Sequence, residues 1–374
     1  MVSTAERKRR ETALREAMHA SGYQALLLAG NAEAAQRGYI RYLSDWRLWG
    51  GSGYLVFPLD GDPVLVLGSC SQAHWAKGVG WIRDVRCALV DKIAEVVRVL
   101  RTKGLSRSSI GVVGLNRLMP YGDAKTLMAL LPEAHIQDAT RLVDDIMAVK
   151  SQEEIAQAAE TCRFVAQALE RVKEVLSPGK TEREVMAEAI RFLAARGCLD
   201  GIAHISAEAA PYVSPARDRR IEVDDILKVS LEFAGPGGYW VELSAVFSFR
   251  EPPDRERRLF ATALKALERG RDLMRPGVKG GELSRAIEET YREDGWHITG
   301  RSSVDIHGIG LNVISPPIGL PGSDDELKEN MILNIHPGIL VDDEQWGIHV
   351  QDNLVVTKDG GSPLVDYKPA WHRI

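Results

Sequence analysis

Cysteine is scarce in this chain, aromatic residues are few, and neither sign of charge dominates. Only four cysteines occur in 374 residues: Cys70, Cys87, Cys162 and Cys198. They are far apart and show no paired spacing, so reduced, buried thiols in a cytoplasmic protein are expected. No stretch approaches the ~18 consecutive apolar residues of a membrane span. The opening MVSTAERKRRE lacks the apolar core of a secretory signal. A formal charge of −5 and a pI near 6.0 give no basis for binding nucleic acid or a membrane surface. The one basic run, Lys8-Arg9-Arg10, reads as a solvated helix face.

What is present is the composition of an ordinary globular protein, 45% hydrophobic and 26% charged, in a chain long enough for two domains. Through about residue 150, strand and helix alternate. Helices are expected over 5–22, 91–104 and 122–131, and strands at ALLLAG (25–30), YLVFP (54–58), PVLVLG (63–68), IGVVG (110–114) and, at an edge, AHIQDA (134–139). A second domain, 151–374, opens on Ser151 and Glu154, which form a capping box for a helix to about residue 176; Thr181 and Glu184 repeat the device. Pro178-Gly179 and Pro276-Gly277 each separate a long helix from a shorter one. Strand-like runs lie between (201–206, 225–234, 239–249, 331–337 and 349–357), which suggests an internal duplication with a cavity at its centre. The fold class expected is α+β.

The stretch DIHGIGLNVISPP (305–317) places a histidine before a run of small residues, where backbone can pass close to a bound group. Three other segments are arranged to meet it: LEFAGPGGYWVELS (231–244), MILNIHPG (331–338) and GIHVQDNLVVT (347–357). With these four signatures, in this order, the chain resembles the creatinase, prolidase and Xaa-Pro aminopeptidase family. The resemblance covers essentially the whole chain, including IRYLSDW (40–46), and implies a creatinase-like N-terminal domain (1–150) before a pita-bread domain (151–374). Metal-dependent members of that family hold two divalent ions on Asp, Asp, His, Glu and Glu. By signature those places fall here on Leu231, Glu242, His307, His336 and Gln351. Leucine cannot ligate, so a two-metal centre is not expected. Glu242, His307, His336 and Gln351 remain able to hold one Fe, Zn or Mn ion, and the alternative is no metal at all.

The family's two proton-handling histidines correspond here to Tyr212 and to Ile314-Ser315. Ordinary peptidase chemistry therefore loses support, and Tyr212 either packs or is a catalytic residue that transfers a proton or hydrogen-bonds the substrate. Catalysis is expected from Glu242, His307 and His336. Alternation along YWVELS aligns Trp240, Glu242 and Ser244, and along a strand HVQD it aligns His349 with Gln351. Tyr239, Trp240, His349 and Gln351 are expected at the substrate. His204 reads as a satisfied core residue. In creatinase-like homodimers the segment holding Trp46 and Arg47 reaches the partner's site, which implies a homodimer in which Arg47 holds a substrate carboxylate. The function expected is a cytoplasmic hydrolase that cuts a C–N bond of a small polar metabolite without the dinuclear centre. Competing readings are a mononuclear metallohydrolase or lyase, an Xaa-Pro peptidase, and a pita-bread protein that only binds.

Overall fold

The computed structural model describes residues 1–207, 214–342 and 347–374. Two compact units result, Met1–Met147 and Ala148–Ile374. Tyr212 lies outside the described residues.

In the N-terminal unit, α1 (Thr4–Ser21), β1 (Ala25–Asn31), α2 (Gly38–Tyr42), β2 (Ser52–Pro58), β3 (Val64–Leu67), α3 (Cys70–Val79), β4 (Asp84–Cys87), α4 (Lys92–Thr102), β5 (Ser109–Val113), α5 (Tyr121–Leu130), β6 (His135–Asp138) and α6 (Thr140–Ala148) follow in order. The strands form one mixed sheet in the order β4-β3-β2-β1-β5-β6. Its inner strands are almost wholly buried runs of Leu, Val, Ile and Phe, as a sheet covered on both faces requires. Two expectations fail here. Arg10 is 1% exposed, its guanidinium donating to Glu6 at 2.7 Å and to the Tyr42 carbonyl at 2.9 Å, so only part of the basic run faces water. Cys70 and Cys87 form a disulfide. Leu67 pairs with Cys87 between parallel β3 and β4, and Cys70 follows Leu67 by three residues, so the crossover returns the two Cα atoms to 4.9 Å. The expectation of four reduced thiols is corrected, and the cytoplasmic reading loses that support. No described helix is long and apolar enough to cross a membrane.

The C-terminal unit runs α7 (Gln152–Val175), α8 (Glu182–Ala194), β7 (Asp200–Ser206), β8 (Ile226–Ala234), β9 (Trp240–Ser248), α9 (Asp254–Leu273), α10 (Gly280–Glu293), β10 (Ile298–Arg301), β11 (Ile306–Gly308), β12 (Ser315–Gly319), β13 (Ile332–Ile335), β14 (Ile339–Val341), β15 (Asp352–Thr357), β16 (Gly360–Pro363) and β17 (Trp371–Arg373). Both capping boxes are present. Glu154 does double service: one oxygen accepts from the Ser151 amide at 2.8 Å and the other from the Tyr239 hydroxyl at 2.7 Å. A four-stranded sheet, β17-β9-β8-β7, and a five-stranded sheet, β12-β11-β13-β15-β16, carry the two halves, with β10 and β14 as a separate pair. Helices α7 and α8 pack beside the first sheet. Helices α9 and α10 bury Leu259, Ala263, Leu283 and Ile287 in a core shared with Ile306, Leu333, Ile335 and Leu354.

Candidate active site

Each strand of this unit offers side chains alternately to its two faces. On β8 the alternation sends Leu231 into the core, fully buried, and turns Ser230 and Glu232 the other way. Across the hairpin Glu232 stands directly opposite Glu242 of β9. β11 supplies His307, and His336 follows the last residue of β13. Glu242, His307 and His336 are 3%, 2% and 7% exposed, and one ligand atom from each lies within 4.8 Å of the others. Among the described residues they are the one such group of three or more His, Cys, Asp or Glu side chains.

The trio is held from behind. His307 Nδ1 sits 3.1 Å from the Gly308 carbonyl. A carbonyl only accepts, so Nδ1 donates to it, and Nε2 is the nitrogen that faces Glu242 Oε1, 3.6 Å away. His336 Nδ1 is 3.2 Å from Ser303 Oγ, and its backbone amide donates to the Asp305 carbonyl at 2.9 Å. The Glu242 backbone is clamped by Asn353, whose side chain accepts from the Glu242 amide at 3.2 Å and donates to its carbonyl at 2.7 Å.

Burial pushes the Glu242 carboxyl above the ordinary carboxylate range, although His307 beside it pulls the other way. Burial also opposes a charge on His307, but the adjacent Glu242 outweighs it and leaves the imidazole raised. His336, buried and next to two other imidazoles, is held well below the usual histidine range and is therefore neutral, the form that ligates.

A cavity of about 360 Å³ opens against these groups. His349 and Gln351 line it, although they precede β15 and belong to no strand, so the strand HVQD is corrected. The Ser244 hydroxyl anchors this irregular segment, accepting from the Gln351 amide at 2.9 Å and donating to the His349 carbonyl at 3.4 Å. Gln351 is removed from the proposed ligand set, because His349 Nε2 (2.8 Å) and Ser230 Oγ (2.8 Å) occupy both ends of its amide. Tyr239 and Trp240 are corrected too: both are buried, the first bonded to Glu154 and the second through its amide to the Gly310 carbonyl at 2.8 Å. Trp46 is 6% exposed in the N-terminal unit, its indole nitrogen buried without a hydrogen-bond partner, and Arg47 follows it.

Glu232 is the site residue that the sequence reading missed. It lines the cavity beside Glu242. The available signal was the polar series Lys228, Ser230, Glu232 at every second position of β8. His204 is not a satisfied core residue: its Nδ1 is buried without a hydrogen bond, 3.5 Å from Glu232. Burial pushes the Glu232 carboxyl up, but His204 outweighs that and keeps it lowered, hence ionised.

The model of metallopeptidase family M24 matches residues 156–358, and that of the creatinase/prolidase N-terminal domain matches residues 10–149. The chain belongs to metallopeptidase family M24. M24 members are hydrolases, and this one is an enzyme of the class that acts on C–N bonds. It is similar to an Xaa-Pro dipeptidase of Pyrococcus furiosus, 23% identical over 84% of this chain and 87% of that protein. An ectoine hydrolase of Halomonas elongata is 25% identical over 69% of this chain and 68% of its own length. An X-Pro aminopeptidase structure from Thermotoga maritima superposes with a TM-score of 0.84 at 21% identity, covering 97% of this chain and 99% of that one. That superposition establishes the shared M24 fold, with the creatinase-type domain before the pita-bread domain.

Proposed function

We propose that this M24 protein hydrolyses a C–N bond in a small polar metabolite with one divalent ion, Fe, Zn or Mn, held by Glu242, His307 and His336. The observation that carries the reading is that buried trio at the wall of a cavity. Its donors fit such an ion: a carboxylate and two imidazoles, each imidazole with its Nδ1 engaged so that Nε2 would be the ligating nitrogen, and one ligand atom from each residue within 4.8 Å of the others. Bound there, the ion supplies Lewis-acid polarisation of the scissile group and activation of water. The chain's own residues do the rest. Ser303 and the Gly308 carbonyl orient the imidazoles, Asn353 fixes Glu242, and Ile202, Val313 and Ile314 provide the apolar wall. A cavity near 360 Å³ suits a ligand of dipeptide size or smaller. Dipeptides ending in proline and cyclic amidines are the first substrates to try, because the relatives just named are an Xaa-Pro dipeptidase and an ectoine hydrolase.

A metal-free hydrolase is the second reading, favoured by the 3.6 Å pair of Glu242 and His307, which can shift a proton without an ion. A homodimer with Trp46 and Arg47 serving the partner's site is part of the proposal, carried by the resemblance. Metal analysis of protein purified without chelator decides between the readings. One ion per chain, lost in His336→Ala together with turnover, supports the first. Full turnover in chelator supports the second, and two ions per chain overturn both.

A further inference from the structure

Glu232 stands in the cavity wall with no fixed cation to match it. Its side chain is 17% exposed. The cavity lining described holds two carboxylates and three imidazoles but neither lysine nor arginine. Its one ion-pair contact among the described residues is the His204 imidazole at 3.5 Å. A lone imidazole is a weak match for a carboxylate this far from water, and the cavity lining brings no Lys or Arg to it.

The neighbouring hydrogen bonds show that the carboxylate is built in as an acceptor. Ser230 Oγ lies 3.2 Å from Glu232 Oε1, Gln351 Nε2 lies 2.8 Å from Ser230 Oγ, and His349 Nε2 lies 2.8 Å from Gln351 Oε1. A carboxylate only accepts, so the single hydroxyl proton of Ser230 goes to Glu232. Ser230 must then accept from the Gln351 amide nitrogen, Gln351 turns its oxygen to His349, and His349 donates from Nε2. Four side chains on two separate segments are thus polarised in one direction, and the chain ends on the Glu232 carboxylate. His349 is left with Nδ1 as its acceptor, so both ends of the relay accept and neither donates.

We propose that Glu232, held by the Ser230–Gln351–His349 chain, is a subsite for the ammonium or amidinium group of the substrate. It is distinct from the Glu242, His307 and His336 cluster, though it opens on the same cavity. The assignment deepens the hydrolase reading by naming the substrate class as cationic, and it rests on that reading only for the word substrate. Glu232 is a specificity-determining residue here: it takes the cation and orients the scissile group towards the trio.

Ligand-observed NMR titration of the whole protein, as purified, with acetamidinium and with its neutral counterpart acetamide tests the subsite without turnover. The wild type should prefer acetamidinium by about tenfold or more, as a charge-assisted contact in a sheltered site provides. Glu232→Gln should erase the preference, Ser230→Ala should weaken it, and Glu242→Gln should leave most of it. Glu232→Asp keeps the charge one methylene further back and should retain a reduced preference; it serves as the readout if Glu232→Gln does not fold. Equal binding of the two probes by the wild type overturns the proposal. So does a preference that vanishes with Glu242→Gln and survives Glu232→Gln. Loss of metal from Glu232→Gln also overturns it, by assigning the carboxylate to an ion. A protein that holds no metal and turns nothing over, yet shows the Glu232-dependent preference, keeps the subsite while the hydrolase reading fails.

Discussion

Glu242 is fixed through its backbone as much as through its side chain. Asn353 engages both its amide and its carbonyl, and Asn334 donates to the same carbonyl at 3.2 Å. These asparagines sit on β13 and β15, so a residue of one sheet is registered by two residues of the other. Asn353→Ala strands a buried amide, which costs roughly 1–3 kcal/mol, and frees Glu242 to wander. Melting temperature and metal per chain should both fall, with activity down roughly 10–100-fold, as for other groups that orient ligands. An unchanged melting temperature and full metal content would remove Asn353 from this role. Next to it, burial pushes the Asp352 carboxyl up to about 7, against the lowering effects of the Asn353 amide and Arg271. A carboxyl raised on folding holds its stabilising contribution at low pH and loses it as pH climbs from about 4 to about 7. Asp352→Asn should remove that slope and make the protein more stable than wild type above pH 7, by roughly 1–4 kcal/mol. Chemical denaturation at pH 5 and pH 8 measures this; equal pH slopes in the two proteins would count against it.

At the scale of elements, the capping boxes were legible because they are local: a hydroxyl and a carboxylate three residues apart suffice. Strand faces were less legible. The family register put the first acidic place at Leu231, yet the pleat of β8 turns Glu232, one residue on, into the cavity. A shift of one residue exchanges core for cavity at every position. Gly308 offers the same lesson. The sequence suggested that glycine lets backbone approach a bound group, whereas a Cβ there would lie 2.3 Å from the Pro316 carbonyl oxygen. The glycine lets β11 and β12 close on each other beside His307. Gly308→Ala should therefore pry the strands apart, displace the His307 ring and lower activity by more than tenfold, with a loss of about 1–3 kcal/mol in stability. Retained metal and activity in this variant would show that the contact yields cheaply.

For the whole molecule, two measurements follow. Thiol titration of protein denatured without reductant should find two free thiols, Cys162 and Cys198, and four after reduction. Four before reduction would dismiss the Cys70–Cys87 bond. If the dimer shares Arg47 across subunits, the inactive variants Arg47→Ala and Glu242→Gln should complement each other. Random mixing leaves one intact site in half the dimers, about a quarter of wild-type activity. Recovery of none would place Arg47 outside the partner's site.

By itself the sequence determined most of the longer helices and strands, where the long helices start and stop, and, through the family signatures, that Glu242, His307 and His336 belong to one constellation. Those depend on spacing and on signatures contained in single segments. Only the tertiary structure decided that Gln351 is spent on hydrogen bonds, that Tyr239 and Trp240 are packing, that Cys70 meets Cys87 and that Glu232 faces Glu242. Each of these depends on which residue of a distant segment lies opposite. That is set by strand pairing and crossover geometry, which no local pattern encodes.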